Sequence, residues 1–260
     1  MYKLLRVEWF KVKGYKAFWI ILALFAIPFP IVFVQVVKKL DEQLSAFSTL
    51  ITAYPNLWQF TAYWGSYNII LLGMLVILMI TNEHTYRTMR QNIIDGWSRQ
   101  QFFYAKLMPI FILALFSTVL IALTGWIAGY EVDDLLNVNK GTTYIFYSFL
   151  QSLDYLLAAL FIGVYVKRAA LSIAIYFMYA ILGGESLVRF LLNRYIGGEV
   201  GNFLPLQVSD EMIPIPGLDK LPGKSGFSSE YNTETYLIAT LIYIAIFIYL
   251  IYRKLQKSDL

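Results

Sequence analysis

Long apolar runs separated by short polar segments are the main feature of the sequence. Several of these runs approach or exceed the roughly 18 residues that a helix needs to cross the hydrocarbon layer of a membrane. The pattern predicts an all-α, polytopic membrane protein in which a single transmembrane domain occupies residues 1–260. The six predicted spans cover residues 17–37, 67–82, 107–130, 143–166, 169–192 and 235–252.

The composition agrees with this class and excludes several kinds of site. The chain of 260 residues is 58% hydrophobic and 15% charged, whereas soluble domains are about a quarter charged. It has no cysteine and one histidine, His84, which excludes disulfides, cysteine-bound metals and two-histidine metal motifs. The sequence Gly223-Lys224-Ser225 lacks the earlier glycine of a phosphate-binding loop. We therefore expect that this chain itself binds no cofactor.

Lysine and arginine are distributed unevenly between the two sides of the predicted membrane. Fourteen of the 21 lie in the N-terminal segment, between spans two and three, between spans four and five, and in the C-terminal tail. Because cytoplasmic segments are enriched in these residues, both termini are expected in the cytoplasm, and residues 193–234 are expected to form an extracytoplasmic loop. The net charge of +4 thus reflects sidedness, and no nucleic acid partner is expected.

The segment before the first span, residues 1–16, is predicted to be an amphipathic helix that lies in the headgroup plane of the bilayer. The alternative is a simple basic flank of the span. The helix would bend into the first span near Gly14. Within that span, Pro28 and Pro30 each remove a backbone donor, so a kink or a break is expected there. The apolar positions at helical spacing in the N-terminal helix are Tyr2, Leu5, Trp9 and Val12.

A polar segment, residues 83–106, interrupts the apolar chain between spans two and three. An apolar stripe at helical spacing within it consists of Tyr86, Met89, Ile93 and Trp97. Asp95-Gly96 would end this helix, because glycine accepts the left-handed conformation of a C-terminal cap. Ser98 and Gln101 form a capping-box pattern that starts a new helix. The pattern favours a short helix that docks a partner over the alternative, a solvated charged loop.

These residues resemble those of a known family. The residues Glu83, Arg87, Ile94-Asp95-Gly96, Ser98-Arg99 and Lys106 are similar to the membrane subunits of ABC transporters of the type-2, or exporter, permease class. The form RQNIIDGWSR is especially similar to permeases of Bacteroidetes-type bacteria. The shared layout extends over the whole chain. The Pro- and Gly-rich insertion at residues 213–225 departs from it.

The resemblance implies a function and a set of partners. Two copies, or one copy and a homologous permease, would pair in the inner membrane of a bacterium. Each would rest residues 83–106 in a groove of a separate cytoplasmic ATPase subunit, which would bind ATP and Mg²⁺. The residues that would dock the ATPase are Glu83, Arg87, Arg90, Ile93, Ile94, Trp97 and Arg99.

Polar residues in or beside the predicted spans are further candidates. An acid in mid-span, Asp154, is costly unless it is paired or faces water. The candidates for a substrate pathway are Ser66, Asn68, Gln151 and Asp154. A buried hydrogen-bond node between helices is the alternative. Beyond Gly183-Gly184, Glu185 and Arg189 can pair at a spacing of i, i+4, either as an outer gate or as an ordinary interfacial ion pair.

Two other classes of function compete with the ATP-driven exporter. An ATP-independent secondary transporter or channel would use Asp154 as its coupling group, but it has no need of a basic docking helix. A membrane enzyme has little chemistry to work with, because one histidine and no cysteine are present. The residues of the predicted spans do not select a transported substrate.

Overall fold

The computed structural model describes residues 2–43, 52–86, 88–94, 96–132, 138–180, 184–197, 200–214 and 231–257. Within these ranges the regular structure is helical, and no strand is found. A short 3₁₀ turn occupies Val200–Phe203. The helices are α1 (Tyr2–Lys13), α2 (Lys16–Ala26), α3 (Pro28–Gln43), α4 (Asn56–Thr85), α5 (Thr88–Ile94), α6 (Arg99–Val132), α7 (Thr143–Val166), α8 (Ala169–Ala180), α9 (Gly184–Tyr195), α10 (Gln207–Glu211) and α11 (Thr233–Lys257).

The lengths and apolarity of the helices confirm an all-helical, membrane-spanning protein. Among the described residues, five segments are long and apolar enough to cross a membrane. A sixth exists if α8 and α9, bent by 48° at the break between them, are taken as one span. The five are Lys16–Gln43, Asn56–Thr85, Arg99–Tyr130, Thr143–Val166 and Thr233–Lys257. The sidedness of the termini stays a prediction.

The second span is much longer than the sequence predicted, because α4 begins at Asn56 rather than near residue 67. Gln59 and Thr61 interrupt the apolar run in the sequence, but the fold satisfies both. The Gln59 amide donates to the Pro214 carbonyl at 2.7 Å, and the Thr61 hydroxyl donates to the Leu57 carbonyl at 2.7 Å. Polar residues are tolerated in a span when their groups are bonded inside the bundle.

The first span is broken where the two prolines predicted it. Helix α2 ends at Ala26, and Pro28 is the first residue of α3, where a missing N–H costs little. The break frees carbonyl groups of the last turn of α2. One of them, on Phe25, accepts a hydrogen bond of 2.8 Å from the Asn68 side chain of α4.

The core is built around α4, whose largest contact is with α7 and which also packs against α2, α6 and α8. Its fully buried residues include Ile69, Leu72 and Ile77. Glycines let the helices approach closely: a Cβ at Gly73 would overlap the ring of Tyr176 from α8. Small residues at helix contacts are the usual means of close packing between membrane helices.

The two ends of the bundle differ in structure. The α5 end, named for the helix it carries, gathers α1, the end of α4, the start of α6 and the end of α11. The α10 end carries α9, the 3₁₀ turn and α10, and α10 packs against α7 and α11. Most of the Pro- and Gly-rich insertion predicted at residues 213–225 lies outside the described residues, as do residues 133–137.

The close approach at Gly73 can be tested. We expect Gly73→Ala to lower the free energy of unfolding by about 1–3 kcal/mol, because the added methyl forces the buried Tyr176 ring to move. Gly14→Ala is the matched control, since nothing lies within 4 Å of a Cβ there. Thermal unfolding of the purified protein in detergent measures both. Equal melting temperatures for the two variants would contradict this packing.

Candidate functional site

Four charged side chains from three helices meet at the α5 end. Glu8 and Lys11 come from α1, Glu83 lies near the end of α4, and Lys106 lies near the start of α6. The Lys11 Nζ atom is 2.9 Å from Glu8 Oε1 and 2.7 Å from Glu83 Oε1. The Lys106 Nζ atom is 2.5 Å from Glu8 Oε2 and also pairs with Glu83. Each lysine therefore bridges both glutamates, and we call this set the ion-pair network.

The ion-pair network is buried and balanced in charge. Glu8, Glu83 and Lys106 are almost inaccessible to solvent, while Lys11 lies at the edge. Burial disfavours the ammonium of Lys11, but the carboxylates of Glu83 and Glu8 outweigh this effect, so its pKa is raised. Buried ions are tolerated when opposite charges compensate them, and removing one partner is then strongly destabilising. The network therefore fixes α1 to the ends of α4 and α6.

Helix α5 lies between the two helix ends that the network joins, and its boundaries follow local signals. Gly96 has a φ of 95°, and its N–H donates to the Ile93 carbonyl at 3.0 Å. The capping box predicted at the start of α6 is confirmed. The Ser98 N–H donates to Gln101 Oε1 at 2.9 Å, and the Gln101 N–H donates to Ser98 Oγ at 3.1 Å.

The predicted apolar stripe of this segment does not form one continuous exposed face. Met89 is buried in the main core and anchors α5, while Ile93 and Trp97 are half-buried. Ile94 and Tyr86 are the most exposed apolar residues of the segment, at 84% and 72% of their surface. A partner would therefore meet Ile94 and Tyr86 first.

The remaining predicted docking residues fall into two groups. Glu83 is inside the ion-pair network, and the half-buried Arg99 donates to the Gln256 carbonyl in the last turn of α11. These two position the segment rather than face outward. Arg87 and the side chain of Arg90 lie outside the described residues.

The α1 half of the network, Glu8 and Lys11, was not among the residues predicted from the sequence. Glu8 is the only acid among the first 40 residues, and it precedes Lys11 by three positions. Glu8 also shares a helix face with Leu5, three positions before it, and with Val12, four positions after it. A lone acid on the apolar face of a basic helix signals a buried partner, and that signal could have been used.

The candidates for a substrate pathway make separate contacts in the structure. The Ser66 hydroxyl donates to the nearby Tyr63 carbonyl at 2.6 Å, and Asn68 bonds to the break in the first span. Gln151 and Asp154 lie elsewhere, on α7. The Gln151 amide donates to Asp210 Oδ1 of α10 at 2.8 Å. Asp210 was not predicted, because a residue of an outer loop carries no sequence signal of contact with a span.

The predicted ion pair between Glu185 and Arg189 is wrong. The Arg189 Nη2 atom lies 3.0 Å from Glu211 Oε1 of α10. Glu185 Oε1 instead accepts hydrogen bonds from the N–H groups of Leu206 and Gln207, at 2.9 and 3.0 Å. The unpaired N–H groups at the start of α10 need acceptors, and the fold brings them to Glu185. A role of the two residues as an outer gate stays a prediction.

The ion-pair network yields a stability prediction. We expect Lys106→Met to lower the free energy of unfolding by about 3–5 kcal/mol, because Glu8 and Glu83 would share Lys11 alone. The double variant Glu8→Gln/Lys106→Met restores the charge balance and should recover part of this loss. Thermal unfolding in detergent compares both with Lys16→Met, an exposed lysine. A Lys106→Met protein that melts with the Lys16→Met control would refute the network.

Comparison with known proteins places these features in a wider group. A family model described as ABC-2 family transporter protein matches residues 4–183. The matched range includes the ion-pair network, α5 and the bundle up to the end of α8, whereas α9, α10 and α11 lie beyond it. The search of curated proteins gave no match.

Proposed function

The chain belongs to the ABC-2 family of transporter proteins, and on that premise we propose that it is the membrane subunit of an ATP-driven exporter. Membership implies an ABC transporter permease, a membrane subunit that works with an ABC ATPase. The proposal adds that α5 docks this ATPase and that the complex exports its substrate. The chain would bind no nucleotide, and ATP and Mg²⁺ would be held by the ATPase.

The exposure of Ile94 on a firmly anchored helix is the observation that carries the proposal. Met89 holds α5 to the core, and the Trp97 ring lies 5.9 Å from Lys11 Nζ of the ion-pair network. An isoleucine on such a support has a fixed position, so a partner can bury it without ordering a loop first. Burial of its side chain would contribute about 1.5–3 kcal/mol to binding.

The helices that flank α5 can transmit motion from the ATPase. Helix α4 runs without a break from Asn56 to Thr85, and α6 runs from Arg99 to Val132 with Pro109 inside it. The ion-pair network ties the end of α4 and the start of α6 to α1. When ATP binding moves the docked α5, these three helices would be displaced together, and the displacement would reach the α10 end.

The other parts of the proposal concern partners and location. A second copy of this chain, or a homologous permease, would complete the pathway, and the bilayer would be the inner membrane of a bacterium. The basic side of the chain, which includes the α5 segment, would face the cytoplasm. Family membership favours this function over an ATP-independent carrier that uses Asp154, because the family implies an ATPase partner.

Docking through α5 can be tested by co-purification. We expect Ile94→Asp to reduce the amount of cognate ABC ATPase that co-purifies with the tagged permease by more than tenfold. The cause is the loss of an apolar contact and the burial of a charge in its place. Tyr86→Ser, Arg90→Glu and Trp97→Ala should each reduce it as well.

The matched control is Ile196→Asp, which alters an isoleucine that is 65% exposed next to α9. It should leave co-purification unchanged, since α9 belongs to the α10 end. Membrane insertion and elution volume in size-exclusion chromatography verify the fold of each variant. Wild-type stoichiometry of the ATPase with Ile94→Asp would rule out docking through α5.

A further inference from the structure

The α10 end contains buried acids that the proposed function does not use. Asp154 of α7 is completely inaccessible to solvent, and within the described part of the chain neither of its oxygens has a hydrogen-bond partner. The Gln151 Oε1 and Tyr176 hydroxyl atoms are also buried and unpartnered. Ser209 lies within reach of Asp154, but its hydroxyl donates to the Leu206 carbonyl at 2.8 Å.

In the part of the chain that the structure describes, no basic group acts on Asp154 or Asp210. The charges within electrostatic reach of Asp154 are Asp210 and Glu185, both acids. The nearby Arg189 pairs with Glu211 instead. An ionised carboxylate that is buried without a counter-charge costs several kcal/mol, so such a group binds a proton or a cation. Among the described residues, no group of three or more acids and histidines is arranged to hold a metal ion.

We propose that Asp154 and Asp210 form a proton-binding pair at the α10 end, which takes up protons from the aqueous phase through Asp210. The binding step is simple: a proton from water adds to a carboxylate oxygen, and no other bond breaks. Asp210 on α10 is only partly buried, whereas Asp154 is completely enclosed. The proposal does not depend on the ATPase partner.

Gln151 relates the two acids through hydrogen bonds. Its amide nitrogen donates to Asp210 Oδ1 at 2.8 Å, and its Oε1 has no donor. Asp154 lies three residues further along α7, on the same helix face. A protonated Asp154 changes from an acceptor to a donor, so it can supply the hydrogen bond that Gln151 Oε1 lacks. A proton at Asp154 would therefore complete the polar contacts of α7.

Asp210 holds α10 to α7, so its charge affects how firmly α10 packs against α7. Its carboxylate accepts hydrogen bonds from Gln151 and, at 2.9 Å, from the Tyr155 hydroxyl. Burial raises the pKa of Asp210 to about 7, against the lowering effect of these two bonds. Among the described residues, the titratable and charged groups that face the pair are Tyr63 of α4, Tyr155 of α7, Tyr176 and Tyr179 of α8, Glu185 and Arg189 of α9, Glu211 of α10 and Tyr243 of α11.

Infrared spectroscopy tests the proton directly. Hydrated films of the purified protein at pH 6 should show the carbonyl-stretch band of a protonated carboxylic acid, and Asp154→Asn should lose one component of it. Glu211→Gln is the control, because Glu211 is paired with Arg189 and should contribute nothing to this band. A wild-type spectrum without the band, or an Asp154→Asn spectrum that keeps it in full, would overturn the proposal.

The pH dependence of stability supplies a second test. A carboxyl group whose pKa is higher in the folded state stabilises the fold most at low pH, and this contribution is lost as the pH rises through the folded value. As the pH rises from about 4 to about 7, the loss of the stabilisation by the Asp210 proton should therefore raise the unfolding constant of the wild type by up to about tenfold per pH unit, compared with Asp210→Asn.

Backbone hydrogen exchange locates the effect. Between pH 6 and pH 8, the exchange of residues 207–211, corrected for the intrinsic rate, should rise more in the wild type than in Asp210→Asn. The α5 segment provides an internal reference, since it lies at the opposite end of the bundle. Parallel stability curves for the two proteins, or equal exchange at residues 207–211, would show that Asp210 carries no titrating proton and would overturn the proposal.

Discussion

The pairing of buried charges at the α5 end is the constraint on which the proposed mechanism depends. Two lysines and two glutamates alternate there. The glutamates could not remain buried without the lysines, nor the lysines without the glutamates. Because the four residues come from α1, α4 and α6, their pairing determines how these helices meet. It also determines the position of α5, which is attached to α4 and α6 at its two ends. A helix held in this way can transmit a displacement instead of absorbing it.

The bundle beyond the network combines rigid and broken elements. Helices α4 and α6 are continuous over most of their length, and close contacts at small residues lock α4 against its neighbours. The first span, in contrast, is divided at Pro28, and Asn68 bonds to the carbonyl that the division exposes. This arrangement places the break of the first span beside α4. Motion of α1 would reach α2 along the chain, and it would reach α3 also through α6, which packs against α3.

The two ends of the molecule treat buried charge in opposite ways. At the α5 end Glu8 and Glu83 both have lysine partners, so their charges are permanent and structural. At the α10 end, within the residues that the structure describes, Asp154 has no counter-charge, and Asp210 is bonded only to neutral donors. A neutral donor stabilises a carboxylate less than an ammonium group does. Protonation is then the way to remove the cost of burying the charged carboxylate. Permanent ion pairs suit a fixed connection between helices, and an acid without a counter-charge suits a site whose protonation changes with pH.

Much of this architecture follows from the sequence alone, because it depends on local properties. The length of apolar runs determined the helical membrane class, the prolines determined the break in the first span, and Ser98 with Gln101 determined the start of α6. The predicted exposed stripe through Met89, however, was divided by packing against the core. Which charges meet depended on contacts between residues far apart in the chain: Glu8 with Lys106, Arg189 with Glu211, and Asp210 with Gln151. Local spacing carries no record of such contacts, so only the tertiary structure decided which acids are paired and which must bind a proton.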